Sequence, residues 1–238
     1  MSSTTPTPDQ QALVASLRGR LVVSCQAYPG EPLREAPTMA RTAAAVVAAG
    51  AAAVRLQGLP DVLTGRSAVQ VPIVGLWKHG HDGVVITPTL RHAVAVAEAG
   101  ADVVAIDGTR RPRPDGLTLA ETVRRLKERT GVLVMADCGS LEDALRAEDA
   151  GADLLGSTLA GYTGERPATD GPDLELVAAI VARCERPLVA EGRVDTPEQA
   201  GAAIEAGAHA VCVGSAITHP GRITERFLRG LPASGHGA

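Results

Sequence analysis

Aromatic side chains are nearly absent: 238 residues include one Trp, one Phe and two Tyr. Proteins that bind single-stranded nucleic acid stack bases on aromatic platforms, and this chain has no such series. Positive charge is not in excess either. Its 23 Lys and Arg stand against 27 Asp and Glu, a formal net charge of −4, so no polyanion-binding face and no nucleic acid partner are expected. Cysteine is sparse. Cys25, Cys138, Cys184 and Cys212 lie far apart with no CxxC pair, which suits neither a zinc site nor a disulfide framework. They read as reduced, mostly buried small hydrophobes of a cytoplasmic protein. No run approaches the ~20 apolar residues of a membrane span, and residues 1–10 lack the basic and apolar regions of a secretory signal.

What is abundant is Ala, Val, Leu and Gly, so the core must be built from small and branched aliphatics. The length suits one β/α barrel better than two domains, and needs no disulfide or metal staple. The expected organisation is a disordered or partly helical segment over 1–19, with residues 1–10 as a tail, a barrel over 20–230, and a disordered tail over 231–238.

Self-similarity gives the fold class. Ala-Gly-Ala recurs at 49–51, 99–101, 150–152 and 206–208, each time after a helical-period stretch and before an apolar run. Glycine just past a helix end supplies the positive φ found there, and the runs that follow, ending near Arg55, Asp107, Thr158 and Ser215, read as buried parallel strands. Four more strands are predicted over 21–26, 72–78, 132–137 and 187–191. Thr196-Pro197-Glu198-Gln199 reads as a capping box and Thr87-Pro88 as a helix start. Eight strands alternating with helices in about 200 residues predict a closed (β/α)8 barrel with parallel strands. An open doubly wound sheet is the alternative.

Such a barrel places its active site at the C-terminal strand ends, and here those ends are polar: Gln26, Arg55, Lys78, Asp107, Asp137, Glu191 with Arg193, and Ser215. Charges are seldom buried unless paired or used. Gly192-Arg193 after strand seven and Gly214-Ser215 after strand eight suit phosphate, because glycines admit backbone N–H groups and a helix start adds a favourable dipole. Lys78, flanked by apolar residues, is the candidate base, its pKa open to lowering by desolvation. Glu191 is the second acid–base candidate. A salt bridge between these two, or a Schiff base on Lys78, is left open. Asp107 and Asp137 fit equally as orienters, partners of Arg55 or hydroxyl ligands. His79-Gly80-His81 has a metal-like spacing but no third ligand, so no metal is assigned. The basic loop 110–114 suits either an anionic substrate or solvent. The long connection 158–172, with Tyr162, suits a lid.

Taken in order, Val23-Ser24-Cys25-Gln26, Ile106-Asp107-Gly108-Thr109 with Arg111-Pro112-Arg113-Pro114, Ala136-Asp137-Cys138, the run 156–163, Ala190-Glu191-Gly192-Arg193 and the run 213–218 closely resemble the bacterial N-acetylmannosamine-6-phosphate 2-epimerases. The resemblance spans about 21–227. It implies a barrel isomerase of sialic acid and amino-sugar catabolism that interconverts the manno and gluco 6-phosphates with no metal or organic cofactor. By matching motif, Lys78 and Glu191 form the catalytic pair, Gln26, Arg55 and Asp137 hold substrate, and Gly192-Arg193 and Gly214-Ser215 hold phosphate. His79 departs from the family, which often has Arg there. A ketose-phosphate epimerase, an aldolase, or a phosphosugar sensor without catalysis are the competing expectations. The sequence does not fix the oligomeric state; helix faces rich in Ala and Val could support a homodimer.

Overall fold

The computed structural model describes residues 6–232; of the tails expected over 1–10 and 231–238, residues 1–5 and 233–238 lie outside the described residues. The strands are β1 (Arg20–Cys25), β2 (Ala53–Gln57), β3 (Ile73–Leu76), β4 (Val103–Asp107), β5 (Leu133–Asp137), β6 (Leu154–Gly156), β7 (Leu188–Glu191) and β8 (Ala210–Val213). All pair in parallel, each with its sequence neighbour, and β8 returns to β1. The sheet is therefore closed, and the open alternative falls away.

Helix α1 (Pro8–Ser16) precedes β1. Between strands run α2 (Ala36–Ala48), α3 (Leu59–Ala68), α4 (Leu90–Glu98), α5 (Leu119–Thr130), α6 (Leu141–Asp149), α7 (Leu174–Arg183) and α8 (Pro197–Glu205). A four-residue α9 (Ser215–Thr218) and then α10 (Pro220–Arg229) follow β8. The Ala-Gly-Ala stops behave as expected: Gly50, Gly100, Gly151 and Gly207 all have φ between 88 and 107°.

Two corrections concern helix starts. Helix α4 is capped by Thr89, whose side chain accepts the His92 N–H; Thr87 instead sits at φ 47°. At Thr196 only half of the box forms, because Gln199 turns its side-chain oxygen to Asp195 N at 2.7 Å. Complete boxes form at Thr118 with Glu121 and ahead of α1 at Thr7, where Gln10 Oε1 accepts the Thr7 N–H at 2.9 Å and Thr7 Oγ1 accepts the Gln10 N–H. That helix takes in Pro8–Gln10, which had read as tail.

The core has two layers. Alternate strand residues point inward, and the inner set includes Val22, Ala53, Val74, Val103, Ala105, Leu133, Met135, Leu154, Val189 and Ala210. Helix α1 closes the N-terminal end: Leu17 is buried with this set and His209 Nε2 lies 2.8 Å from Val14 O. The other strand residues pack beneath the helices in two further clusters.

Candidate active site

Counting by twos from that inner set generates the site. Val22 leads to Ser24 and Gln26, Ala53 to Arg55, Ala105 to Asp107, Met135 to Asp137, Leu154 to Gly156 and Thr158, Val189 to Glu191, and Ala210 to Cys212 and Gly214. The apolar interior thus gives way to a polar mouth at the C-terminal strand ends. A cavity of about 400 Å³ opens there, lined by Gln26, Arg55, Lys78, Asp107, Glu191, Gly192, Arg193, Gly214 and Ser215 among others. Of the sequence-predicted residues, Asp137 alone is missing from that lining.

Arg55 is the hub. It is 2% exposed, and its guanidinium meets both Asp137 oxygens, at 3.1 and 2.6 Å. Its Nη1 also donates to Glu191 Oε2. Thr158 Oγ1 donates to Asp137 Oδ1 at 2.6 Å. Asp137 therefore holds Arg55 and stands back from the cavity. Burial alone would lower the guanidinium pKa, but Asp137 and Glu191 outweigh it and hold it above the usual value. Gly156 makes the arrangement sterically feasible: a Cβ there would fall 2.9 Å from Asp137 Oδ1 and 3.1 Å from Thr158 Oγ1.

Glu191 closes β7, its backbone fixed by Ser157 Oγ, which accepts its N–H at 3.0 Å and donates to its carbonyl at 2.9 Å. Burial raises its pKa; Arg55 opposes and Asp137 reinforces the shift. Cys212 is its cross-strand neighbour and also lines the cavity. Burial and the Glu191 carboxylate push that thiol well up, so it stays protonated.

Lys78 lies two residues beyond β3, held by an antiparallel bridge to Ile86. No carboxylate lies within 4.0 Å of its amine among the described residues, so the Lys78–Glu191 salt bridge left open by sequence does not form; Glu191 pairs with Arg55 instead. The amine sits 5.2 Å from the Tyr28 ring centroid, a cation–π geometry. Burial and then the Arg55 charge lower its pKa, against the pull of Glu191 and Asp137. Desolvation thus drives acid and base toward each other and toward neutrality.

At β7 and β8, Gly192 has φ 113°, a conformation open to glycine. Arg193 follows at φ 54°, and its side chain is committed to the loop 158–172, donating to Ala160 O at 2.8 Å and Thr169 Oγ1 at 3.1 Å. Tyr162 of that loop covers its guanidinium, 5.4 Å from ring centroid to Cζ. Gly214 begins α9, whose first N–H groups have no intrahelical acceptor. Thr218 Oγ1 ties this helix to Ser24 O at 2.7 Å.

The basic loop resolves into three fates. Arg110 is exposed and pairs with Glu165. Arg111 lines the cavity and binds Asp107 Oδ2 at 2.6 Å. Arg113 is buried. Sequence reasoning held Arg111 only within a loop left between anionic substrate and solvent, and did not single out the cavity residues Tyr28, Thr158, Cys212 and His219 as site residues. Thr158 and Cys212 were reachable by extending the alternation; Tyr28 and His219 lie on loops and gave no periodic signal. Among the described residues no group of three or more His, Cys, Asp or Glu is placed to hold a metal ion.

Comparison with known proteins identifies the family. Residues 39–232 match the family model described as "Putative N-acetylmannosamine-6-phosphate epimerase". A relative from Cutibacterium acnes, described as "Putative N-acetylmannosamine-6-phosphate 2-epimerase", is 63% identical over 92% of this chain and 96% of its own. One of the same description from Caldanaerobacter subterraneus is 44% identical over 92% and 94%. The solved N-acetylmannosamine-6-phosphate 2-epimerase of Clostridium perfringens superposes with a TM-score of 0.89 at 36% identity, over 92% of this chain and 96% of that one. The chain belongs to the N-acetylmannosamine-6-phosphate epimerase family.

Proposed function

We propose that this chain interconverts N-acetylmannosamine 6-phosphate and N-acetylglucosamine 6-phosphate by removing and returning the proton at C2, within sialic acid and amino-sugar catabolism. One observation carries the reading: Lys78 follows β3 and Glu191 ends β7, four strands apart around a ring of eight. Strands so separated face each other across the mouth, and both side chains line the same cavity. Inversion at a carbon asks for this, one group on each side of it.

In the ring-opened sugar the C2–H bond lies beside the C1 aldehyde. The Lys78 amine takes the proton, the C2 electron pair forms a C1–C2 double bond, and charge gathers on O1. The Arg55 guanidinium offsets that charge. Glu191, in its carboxylic acid form, delivers a proton to the opposite face; in the reverse direction the two exchange roles. Gln26 and Asp107 are suited to the sugar's polar groups, and Asp137 acts by holding Arg55. Gly192, Arg193, Gly214 and Ser215 form the phosphate end, Arg193 through its backbone. No step asks for a metal or organic cofactor.

The test is proton NMR of the purified chain with N-acetylmannosamine 6-phosphate and no added metal. Appearance of the gluco epimer is expected. A folded chain that leaves the substrate unchanged, or that borohydride couples to a sugar through Lys78, overturns the proposal.

A homodimer in the cytoplasm completes it. Helix α10 buries no residue of its own, and Phe227 and Leu228 on it are 73 and 61% exposed, with Leu231 beyond them at 63%. Apolar surface of this kind favours a partner, and a second copy is the proposed one. Sedimentation equilibrium should give twice the chain mass, and Phe227→Glu should halve it; a monomeric wild type contradicts the dimer. A phosphorylated substrate and free thiols support the cytoplasm.

A further inference from the structure

Arg113 is a buried cation whose direct hydrogen-bond acceptors are two backbone carbonyls. It is 7% exposed, donates to Asp107 O at 2.8 Å and Thr87 O at 2.9 Å, and leaves its Nε without a partner. Burying a charge without an ion-pair partner in contact is costly, and burial pulls its pKa below the usual value against the opposing Asp107 and Asp115 charges. The residue it grips is also unfavourable in isolation. Thr87 is fully buried and β-branched, yet stands at φ 47°, where such side chains crowd the backbone. Strain of this kind persists only where surrounding contacts impose it.

Those contacts converge on the segment that carries Lys78. The Thr87 N–H donates to Trp77 O at 2.9 Å, and Thr87 Oγ1 accepts the Trp77 N–H at 3.1 Å while donating to Ala105 O at 2.6 Å. Trp77 therefore has both backbone groups fixed by one residue. The next turn of the hairpin repeats the pattern, with His79 N–H on Val85 O and Asp107 N–H on Ile86 O, each at 3.0 Å. Strand β3 stops at Leu76, so the β2–β3 and β3–β4 ladders no longer fix the chain at Lys78.

We propose that Arg113 and Thr87 are positioning residues which clamp the Trp77–Thr87 hairpin onto the end of β4 and so set where the Lys78 amine stands in the cavity. Neither lines the cavity, so both act through Lys78, and the inference rests on Lys78 being the base. The loop that sequence left between an anion site and solvent thus contributes its third arginine to catalysis at one remove.

The experiment measures kcat, KM and amide exchange at Trp77 and His79 for Arg113→Met, Thr87→Ala and Thr87→Ser, each also in a Lys78→Ala background. A displacement near 1 Å of a reacting group costs about 100-fold in rate. Arg113→Met and Thr87→Ala are expected to lower kcat about 30- to 100-fold, to leave KM within about twofold, and to speed exchange at both amides. Thr87→Ser, which keeps the hydroxyl, should recover most of the turnover that Thr87→Ala loses. Beside Lys78→Ala, neither change should lower the residual rate further. Should Arg113→Met fail to fold, the Ser and Ala pair at position 87 decides alone. An inactive Lys78→Ala with full kcat in the clamp variants overturns the clamp, as do losses that multiply in the double variants or appear only in KM. A Lys78→Ala chain that keeps its turnover instead overturns the assignment of the base.

Discussion

Asp137 meets the Arg55 guanidinium with both oxygens, at 3.1 and 2.6 Å, and the two side chains are 0 and 2% exposed. Glu191 shares Nη1 of the same guanidinium. One cation thus serves two carboxylates; with Glu191 in its acid form, Asp137 is the charge that balances Arg55, and removing Asp137 leaves that cation buried without an opposite.

Asp137→Asn keeps the shape and deletes the charge. Breaking a buried pair in this way costs about 3–5 kcal/mol, and urea denaturation should show that loss with an unchanged m value. A loss below about 1 kcal/mol would mean that Arg55 finds its balance in Glu191 alone.

The pH profile follows from the directions of two shifts. Glu191 is raised by burial and Lys78 lowered by burial. Turnover needs one proton shared between them: a second proton disables the base, and loss of the last disables the acid. The kcat/KM profile should therefore be a bell whose acid limb lies above the ordinary carboxylate range and whose alkaline limb lies below that of a free lysine. The limbs belong to the coupled pair. Limbs at ordinary Glu and Lys values would show that desolvation does not tune them.

Asp61 on α3 is 9% exposed, and burial raises its pKa to about 6 against the opposing Arg34 charge. A group with a raised folded pKa contributes stability below its unfolded value of 3.8 and loses it as pH climbs through about 6. Asp61→Asn should accordingly stabilise the chain by about 1–3 kcal/mol at pH 7.5 and by almost nothing at pH 3.5. Thermal melts at the two pH values check this; an equal effect at both refutes the titration.

Gly156→Ala forces a methyl against Asp137 Oδ1 and Met135 Cε, at 2.9 and 2.5 Å before relaxation. Overpacking of this kind costs about 1–3 kcal/mol, and the Arg55 network must shift. The variant should lose kcat while folding into the same barrel by circular dichroism; full activity would show that the network tolerates displacement.

Much of the fold was legible because it is periodic. Ala-Gly-Ala marks four helix stops, and the inner-facing alternation that runs through Ala53 and Arg55, or Met135 and Asp137, carries apolar interior into polar rim without a break. What tertiary contacts decide was less legible. Lys78 was expected to end a strand and instead follows one, held by a bridge to Ile86. Thr-Pro at 87–88 had the composition of a helix start, yet tertiary contacts with Trp77, Ala105 and Arg113 draw Thr87 into a strained turn. Two similar Thr-Pro-acid-Gln segments, at 7–10 and 196–199, differ in whether the Gln side chain returns to its own cap. Neighbours distant in sequence decide that, as they decide the separate fates of Arg110, Arg111 and Arg113.

The central claim is that two groups on opposite sides of the mouth exchange the C2 proton. Its most direct test is conversion of N-acetylmannosamine 6-phosphate in D2O, stopped at low conversion and read by proton NMR and mass spectrometry. The account predicts a gluco product carrying deuterium at C2 while the remaining manno substrate keeps its protium. A gluco product that retains the original proton would contradict it, because one group would then have carried the same proton from face to face.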